Sequence, residues 1–360
     1  KKMFFSESGA LQTAGKPSTW QKIDSDWYFY DEDGLKTIGK KNINGSTYYF
    51  NQEGIMQTGW AFVDGHWNYF ASSGAMKTGW VKDQETWYYL DKDGIMLTGR
   101  QDINGVRYYL NASGAMQTGW KWQDNSWYFY TNSGAMQTGW LKDKESWYYL
   151  DPETGIMAVG SKEIDGKNYF FSSAGTMQVG WQWSNDSWHY YATSGALQTG
   201  WLKDGDAWYY LEGKEGVMLV GLHQVDGKQY YFSKSGAMQT GWKWFDNHYR
   251  YFESNGAMKT GWIKDKGVWY YLNPEDGIML VGLHKVNGDH YYFDESGAMQ
   301  TGWKQLDGNW YYFQANGSLL KNATTPDGYK VNEEGIWKQA VAAVNSDAVK
   351  PEQKQEANSS

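Results

Sequence analysis

Short aromatic runs alternate with glycine-rich polar stretches along almost the whole sequence. The segment GWVKDQETWYYLDKDGIMLTG, at 79–99, shows the pattern clearly. Its WYYL run at 87–90 is typical of a β-strand, and the DKDG that follows has the composition of a turn. A glycine occurs roughly every ten residues, which disfavours helices. The pattern therefore predicts β-hairpins joined by short connectors.

The hairpin pattern repeats every 20 or 21 residues. The first Trp of the unit, or the residue replacing it, falls at positions 20, 40, 60, 80, 100, 120, 140, 161, 181, 201, 222, 242, 262, 283 and 303. A single two-stranded hairpin is only marginally stable in water, so each unit must stack on its neighbours. We expect an all-β solenoid of about 15–17 stacked β-hairpins of about 20 residues each.

The repeat predicts one long domain and a tail. We expect the solenoid to span residues 1–337, with a truncated hairpin at 1–15 and a degenerate terminal hairpin at 326–337. Residues 338–360 lose the period and have the polar composition of a linker. Both ends of the repeat look cut, so we expect the chain to be one module of a longer protein, with any catalytic module outside it.

A second period appears in pairs of Trp residues seven positions apart. Every third unit lacks the pair and has other residues at both positions. Successive units without the pair are 60 or 61 residues apart. This period predicts a superhelix with about three hairpins per turn. The hairpin pattern survives without the pair, which favours a binding role for it over a packing role. The units without it carry Lys40/Thr47, Arg100/Arg107, Ser161/Asn168, Leu222/Gln229 and Leu283/His290.

The residue after the second aromatic depends on the preceding unit. It is always Tyr where the preceding unit has the aromatic pair, and it varies where that unit lacks the pair. Each predicted site therefore combines two aromatics of one hairpin with a Tyr of the next. The predicted sets are Trp20, Trp27, Tyr48; Trp60, Trp67, Tyr88; Trp80, Trp87, Tyr108; Trp120, Trp127, Tyr148; Trp140, Trp147, Tyr169; Trp181, Trp188, Tyr209; Trp201, Trp208, Tyr230; Trp242, Tyr249, Tyr270; Trp262, Trp269, Tyr291; and Trp303, Trp310, Tyr329.

Three aromatic faces suit a soft organic cation. A quaternary ammonium cannot form hydrogen bonds, and ring quadrupoles attract it with up to about 2 kcal/mol per desolvated contact. We expect no fixed acid beside the rings. The pairs bring no constant Asp, Asn or Gln, the polar residues that sugars normally need beside a ring, which disfavours sugar binding. One open site should bind at roughly millimolar concentration, whereas ten sites on one chain can hold a polymer by avidity.

The units at 139–160 and 261–282, GWLKDKESWYYLDPETGIMAVG and GWIKDKGVWYYLNPEDGIMLVG, resemble the choline-binding repeats of streptococcal surface proteins and cell-wall hydrolases. The resemblance covers residues 1–337. It implies a β-solenoid that holds choline or phosphocholine on teichoic and lipoteichoic acids, outside the cell at the bacterial surface. The units without the pair, such as GLHKVNGDHYYFDESGAMQTG, look more like glycan-binding repeats of clostridial toxins and glucosyltransferases. Glycan binding is therefore the alternative function.

Composition and charge exclude other classes. The net charge of −8 disfavours nucleic acid, and no apolar run approaches the length of a membrane span. The absence of Cys excludes disulfides and zinc–thiolate sites. We expect no enzyme, no metal and no cofactor, because the carboxylates, such as Asp83 and Asp143, occupy repeating positions assigned to solvated turns. His residues are scattered.

Two recurring features lie outside the aromatic sets. A Met or Leu follows each hairpin, for example Met56 and Met96, and its presence in nearly every unit favours a core role over a ligand contact. Trp122, Trp183 and Trp244 recur 61 residues apart in one class of unit only. They are expected either to pack in the interior or to lie at the rim of a site.

Overall fold

The computed structural model describes residues 4–5, 11–12 and 15–338. All regular elements within these ranges are β-strands, and no helix occurs among them. The prediction of an all-β fold of repeated hairpins is confirmed. The chain divides into two compact units, Lys1–Gln178 and Val179–Ser360. The three-hairpin superhelix stays a prediction.

The first unit is a series of antiparallel two-stranded hairpins in chain order, each formed by consecutive strands. Its strands are β1 (Phe4–Phe5), β2 (Leu11–Gln12), β3 (Thr19–Ile23), β4 (Asp26–Tyr30), β5 (Gly39–Ile43), β6 (Ser46–Phe50), β7 (Gly59–Val63), β8 (His66–Phe70), β9 (Gly79–Asp83), β10 (Thr86–Leu90), β11 (Gly99–Ile103), β12 (Val106–Leu110), β13 (Gly119–Gln123), β14 (Ser126–Tyr130), β15 (Gly139–Asp143), β16 (Ser146–Leu150), β17 (Gly160–Ile164) and β18 (Lys167–Phe171).

The second unit continues the same pattern with two variations. A short third strand, β23, joins the β21–β22 hairpin, and β32 and β33 belong to a five-stranded sheet in the order β32-β33-β36-β35-β34. Its strands are β19 (Gly180–Ser184), β20 (Ser187–Tyr191), β21 (Gly200–Asp204), β22 (Ala207–Glu212), β23 (Val217–Met218), β24 (Gly221–Val225), β25 (Lys228–Phe232), β26 (Gly241–Phe245), β27 (His248–Phe252), β28 (Gly261–Asp265), β29 (Val268–Leu272), β30 (Gly282–Val286), β31 (Asp289–Phe293), β32 (Gly302–Leu306), β33 (Asn309–Phe313), β34 (Ala323–Thr324), β35 (Lys330–Val331) and β36 (Ile336–Trp337).

Two-residue turns close the hairpins. In the β11–β12 hairpin the turn is Asn104-Gly105, with φ values of 55° and 79°. Positive φ at both central residues is the type I′ geometry, whose twist matches that of paired strands. Asn and Gly tolerate this region better than other residues do. The turn therefore fixes the hairpin register, and with it the face on which each aromatic lies.

The connectors link each hairpin to the one before it. Met96 forms a bridge with Leu90, the fully buried last residue of its own hairpin. Its backbone N–H donates a hydrogen bond to the carbonyl of Trp67 on the preceding hairpin, at 2.9 Å. Most connectors repeat this arrangement, which supports the prediction that stability comes from neighbouring hairpins.

The expected ends of the solenoid are described only in part. In the predicted truncated hairpin at 1–15, β1 and β2 pair with Phe4 opposite Gln12, while 1–3, 6–10 and 13–14 lie outside the described residues. In the predicted terminal hairpin at 326–337, β35 pairs with β36, and β36 also pairs with β33. Of the predicted tail at 338–360, residues 339–360 lie outside the described residues.

Candidate functional site

The predicted aromatic sets come together between consecutive hairpins. Trp80 and Trp87 lie on one face of the β9–β10 hairpin, because strand residues two apart share a face and Trp87 pairs with position 82 across the hairpin. Their ring centroids are 6.4 Å apart with planes at 88°. Tyr108 of the next hairpin lies 4.8 Å from Trp80. We call such a set, two aromatics of one hairpin and a Tyr of the next, an aromatic cage.

The same geometry recurs in nine of the ten predicted sets. The first Trp contacts the Tyr of the following hairpin at centroid distances of 4.7–4.9 Å in the cages beginning at Trp20, Trp60, Trp80, Trp120, Trp140, Trp181, Trp201, Trp242 and Trp262. Where the two aromatics of one hairpin contact each other, their planes are close to perpendicular, at 83–89°. The rings therefore form walls at an angle.

Several cages enclose a measurable cavity. The cage of Trp201, Trp208 and Tyr230 has a volume of about 410 Å³, that beginning at Trp60 about 350 Å³, and that beginning at Trp181 about 340 Å³. Each is lined by a Met as well, namely Met238, Met96 and Met218 respectively.

These Met residues form a fourth wall of the cages. Among the Met residues that the structure describes, only Met157 and Met279 are buried, whereas Met96, Met218 and Met238 are half-buried and border a cavity. These Met residues therefore border the cavities, and the choice between a core role and a ligand contact stays a prediction. The thioether is soft and polarizable and suits a cation-binding wall.

The two aromatics of a cage differ in their packing. Trp147 is 42% exposed, whereas Trp140 is half-buried and lies 5.2 Å from Tyr149 and 5.9 Å from the buried Phe171. In this cage the first Trp therefore joins the cage to the hydrophobic interior, and the second Trp is the exposed wall. The sequence favoured a binding role over a packing role for both members of the pair.

An acid lies beside half of the cages, contrary to expectation. The indole Nε1–H of Trp60 donates a hydrogen bond to Asp83 Oδ2 on the next hairpin, at 3.0 Å. Asp83 and Asp143 are half-buried at the ends of strands rather than in solvated turns. The assignment of these two residues to turn chemistry was wrong, as was the expectation of no fixed acid. The other such pairs are Trp120–Asp143, Trp181–Asp204, Trp242–Asp265 and Trp303–Asp327, at 2.9–3.1 Å.

A further aromatic lies at the rim of four cages. Trp122 is 57% exposed and its ring is 5.5 Å from Trp127. Trp183 and Trp244 occupy equivalent positions, and their side chains are 55% and 57% exposed. Phe62 occupies the same position in the β7–β8 hairpin and is 59% exposed. Of the two roles left open for these Trp residues, the structure excludes interior packing and places them at the rim.

In the hairpins without the pair, other side chains occupy the cage position. The Arg100 guanidinium lies 4.2 Å from the ring centroid of Tyr128, the Tyr of the next hairpin, and donates hydrogen bonds to Gln123 and Asp124. Arg100 and Arg107 line a cavity of about 270 Å³. The protein thus supplies its own cation to this aromatic face.

Buried polar groups replace the Tyr elsewhere in this class. Asn68 donates to the carbonyl of Gly94, and the Nδ1 of His189 lies 2.7 Å from the carbonyl of Glu215. Arg250 donates through Nε to the carbonyl of Asp276 at 2.9 Å. His290 lies at the second position of its hairpin, and burial together with nearby Lys321 and Lys285 holds its pKa below the usual range. Asn68, His189 and Arg250 therefore stand, buried and hydrogen-bonded, where the aromatic cages have a Tyr.

The last predicted set is closed by an additional aromatic. Tyr329 lies 5.8 Å from Trp303, as expected, but Trp337 lies 6.5 Å from Trp303 and 5.7 Å from Tyr329. Trp337 also pairs with Trp310 across the strands, and Trp303 is buried at 6% exposure. The set at Trp303, Trp310 and Tyr329 therefore resembles a cap more than an open cage.

Neither a metal cluster nor a membrane-spanning helix is found in the described part of the chain. No group of three or more His, Cys, Asp or Glu side chains could hold a metal ion there. No helix among these residues is long and apolar enough to cross a membrane.

Comparison with protein families identifies the repeat. The model described as "Choline-binding repeat" matches residues 37–78, 77–118, 97–136, 117–161, 158–197, 178–221, 239–281 and 280–323, well over half of the chain. A second, "Putative cell wall binding repeat", matches 18–35 and 221–238. The chain belongs to the choline-binding repeat family. With its aromatic clusters, it is a choline-binding cell-wall attachment module, and the choline-binding repeat is a non-catalytic module.

Solved structures of Streptococcus pneumoniae proteins are similar to these choline-binding repeats. CbpJ is 30% identical, covering 84% of this chain and 100% of its own, with a TM-score of 0.28. Choline binding protein F, solved in the presence of a peptidoglycan analogue, is 30% identical. The match covers 90% of this chain and 100% of that protein, with a TM-score of 0.30. The modular autolysin LytC is 24% identical. The match covers 68% of this chain and 52% of LytC, with a TM-score of 0.44. No curated protein matches the chain.

Proposed function

We propose that the chain attaches its parent protein to the bacterial cell surface by binding choline residues of teichoic and lipoteichoic acids in its aromatic cages. The observation that carries this proposal is the cage of Trp201, Trp208, Tyr230 and Met238, with a volume of about 410 Å³ and three aromatic walls. Such a site fits a trimethylammonium group, which aromatic rings attract through their quadrupoles.

The number of cages sets how the module binds. A single open cage has few contacts and exposed walls, so it binds free choline at roughly millimolar concentration, near −4 kcal/mol. A polymer that carries many choline groups engages several cages at once, and each additional contact is intramolecular. The module therefore attaches firmly to choline-bearing polymers while each site exchanges quickly.

The organisation of the chain follows from this role. We place the binding solenoid at residues 1–337 and the polar segment at 338–360 as a linker, with catalysis in another part of the parent protein. Binding requires no metal and no cofactor, because the attraction comes from the rings and, in half of the cages, from a carboxylate beside them.

Retention on a quaternary-amine resin tests the proposal. We expect the full chain to be retained and then eluted by free choline, but not by glucose or dextran. A matched variant with Trp67, Trp87, Trp147 and Trp208 changed to Ala removes exposed walls with little loss of core, and it should elute at lower choline concentration. Elution by dextran but not by choline would instead support glycan binding.

A further inference from the structure

The cages differ in the charges that surround them. The described cages fall into two groups that alternate with the hairpins lacking the aromatic pair. We call Asp cages those beginning at Trp60, Trp120, Trp181 and Trp242, whose first indole donates to an Asp of the next hairpin. We call Lys cages those beginning at Trp20, Trp80, Trp140, Trp201 and Trp262, whose second aromatic pairs across the hairpin with a Lys.

The Lys of a Lys cage lies at its rim. Lys22 and Lys264 place Nζ at 5.9 Å and 5.7 Å from the ring centroids of Trp27 and Trp269, the exposed walls of their cages. The other members, Lys82, Lys142 and Lys203, are exposed and occupy the same register position. Lys82 additionally contacts Glu85 at 2.8 Å.

One dipeptide supplies both charges. In the β15–β16 hairpin, Lys142 and Asp143 are adjacent, and successive strand residues point to opposite faces. Lys142 therefore shares a face with Trp140 and Trp147 of its own cage, whereas Asp143 faces back to Trp120 of the preceding cage, at 2.9 Å from its Nε1. The same Lys-Asp step occurs at 82–83, 203–204 and 264–265.

The Asp cages carry an aromatic where the Lys cages carry the Lys. That position is Phe62, Trp122, Trp183 or Trp244 in the Asp cages. An Asp cage thus has a negative charge behind one wall and an apolar rim. A Lys cage has a positive charge at the rim. The next hairpin has an aliphatic residue at the position of the Asp, namely Ile43, Ile103, Ile164, Val225 or Val286.

We infer that the two groups of cages recognise different parts of the same headgroup: the Asp cages select the quaternary ammonium, and the Lys cages select the ammonium together with its phosphate. This inference rests on the proposed choline binding. In a choline phosphodiester only a short ethylene spacer separates the ammonium from the phosphate, so an ammonium in the cage leaves the phosphate at the rim. There the Lys ammonium attracts the phosphate and repels a bare cation.

In the Asp cages, the Asp carboxylate has the opposite effect on ligand preference from the Lys of the Lys cages. An Asp that accepts the indole N–H places a negative charge near the cage and polarises the indole, which strengthens its attraction for a cation. The same carboxylate repels a phosphate. The Asp cages therefore discriminate less in favour of phosphodiesters than the Lys cages do.

Binding of free choline and glycerophosphocholine to charge variants of the full chain tests the inference. In one variant Lys82, Lys142, Lys203 and Lys264 become Gln. A control changes four turn lysines, Lys92, Lys144, Lys214 and Lys266, to Gln, so the net charge falls equally. The Lys cage variant should lose about two- to fivefold of its glycerophosphocholine affinity relative to its choline affinity, as expected for an exposed ion pair. The control variant should keep the ratio of the two affinities unchanged. The loss should shrink at high ionic strength.

The opposite substitution completes the test. Changing Asp83, Asp143, Asp204 and Asp265 to Asn keeps a carbonyl acceptor for the indole but removes the charge. This Asp-to-Asn variant should lose more affinity for choline than for glycerophosphocholine. If the unmodified chain binds neither ligand, the proposed function fails. If it binds both and the ratio of affinities is unchanged in the Lys cage variant, or shifts equally in the control, the two-group inference is overturned while choline binding stands.

Discussion

The indole Nε1–H of Trp60 donates a hydrogen bond to Asp83 Oδ2, and the two residues belong to different hairpins. One bond therefore holds a cage wall in position and fastens a hairpin to its neighbour. A hydrogen bond to a charged acceptor is stronger than one between neutral groups. In this repeat, binding geometry and stability share residues, and substitutions must be chosen to separate them.

Asp143→Ala should weaken both functions of this bond. We expect a loss of about 1 kcal/mol in the free energy of unfolding, because the bond is charge-assisted but partly exposed, together with weaker choline binding at the cage beginning at Trp120. Thermal denaturation and calorimetric titration measure the two effects. Asp143→Asn is the control and should recover most of the stability, since an acceptor remains. Equal stability of the Ala variant and the wild type would show that the bond contributes nothing.

Trp147→Ala and Trp140→Ala should separate the exposed wall from the buried one. Trp147 is 42% exposed, so its removal should lower choline stoichiometry by one at a cost below about 1 kcal/mol. Trp140 contacts Tyr149 and the buried Phe171, so its removal should cost about 2–3 kcal/mol as well as the site, less than a fully buried Trp. Calorimetry and thermal melts distinguish the two. Unchanged stoichiometry in both variants would contradict the cage assignment.

Gly155→Ala should be far more damaging than Gly166→Ala. Both glycines have similar positive φ, 76° and 74°, so backbone strain is alike. A Cβ on Gly155 would lie 2.6 Å from Met136 Sδ, whereas a Cβ on Gly166 would meet nothing within 4 Å. We expect about 1 kcal/mol for Gly166→Ala from strain alone and clearly more for Gly155→Ala. Thermal melts of the two variants make the comparison, and equal losses would show that Met136 moves aside freely.

Acid should destabilise the fold partly through His290. Burial and nearby lysines lower the pKa of this His in the folded protein, so the unfolded chain binds the proton more readily. The stabilisation is therefore present above the unfolded pKa, near 6.5, and is lost as the pH falls. Melting temperatures of the wild type and His290→Gln from about pH 8 to about pH 5 test this. The melting temperature of the wild type should fall more with decreasing pH than that of His290→Gln. Parallel curves of melting temperature against pH would contradict a role for His290.

The sequence predicted the hairpins and the aromatic pairs because both follow local rules, and it predicted the Tyr wall because that residue depends on the pair of the preceding unit. Turn residues fix the register, and the register fixes the face of Trp80 and Trp87. The role of Asp83 was missed because its neighbours along the chain look like a turn, although Asp recurs at 83, 143, 204 and 265 with the same period as the missing aromatic pairs. The Met wall was missed because a residue present in nearly every unit is usually core. The closure by Trp337 lies in a segment that departs from the repeat.

Arg100→Trp combined with Arg107→Trp should create a new cage. The other walls already exist there: Tyr128 lies against the Arg100 guanidinium at 4.2 Å, and Met136 lines the same cavity. Replacing the two cations with indoles supplies the missing aromatic pair. Choline stoichiometry should rise by one, with an affinity near that of the other cages, because ring faces replace an internal cation that now occupies the Tyr face.

Leu222→Trp combined with Gln229→Trp is the matched control for this gain of a site. It introduces the same pair on an equivalent hairpin, but the wall position on the next hairpin is the buried Arg250, which donates to the carbonyl of Asp276. A fixed cation there repels choline, so stoichiometry should not change. Calorimetric titration of both double variants measures the difference. A new site in both, or in neither while the variants remain folded by circular dichroism, would show that the Tyr wall does not decide where a cage can form.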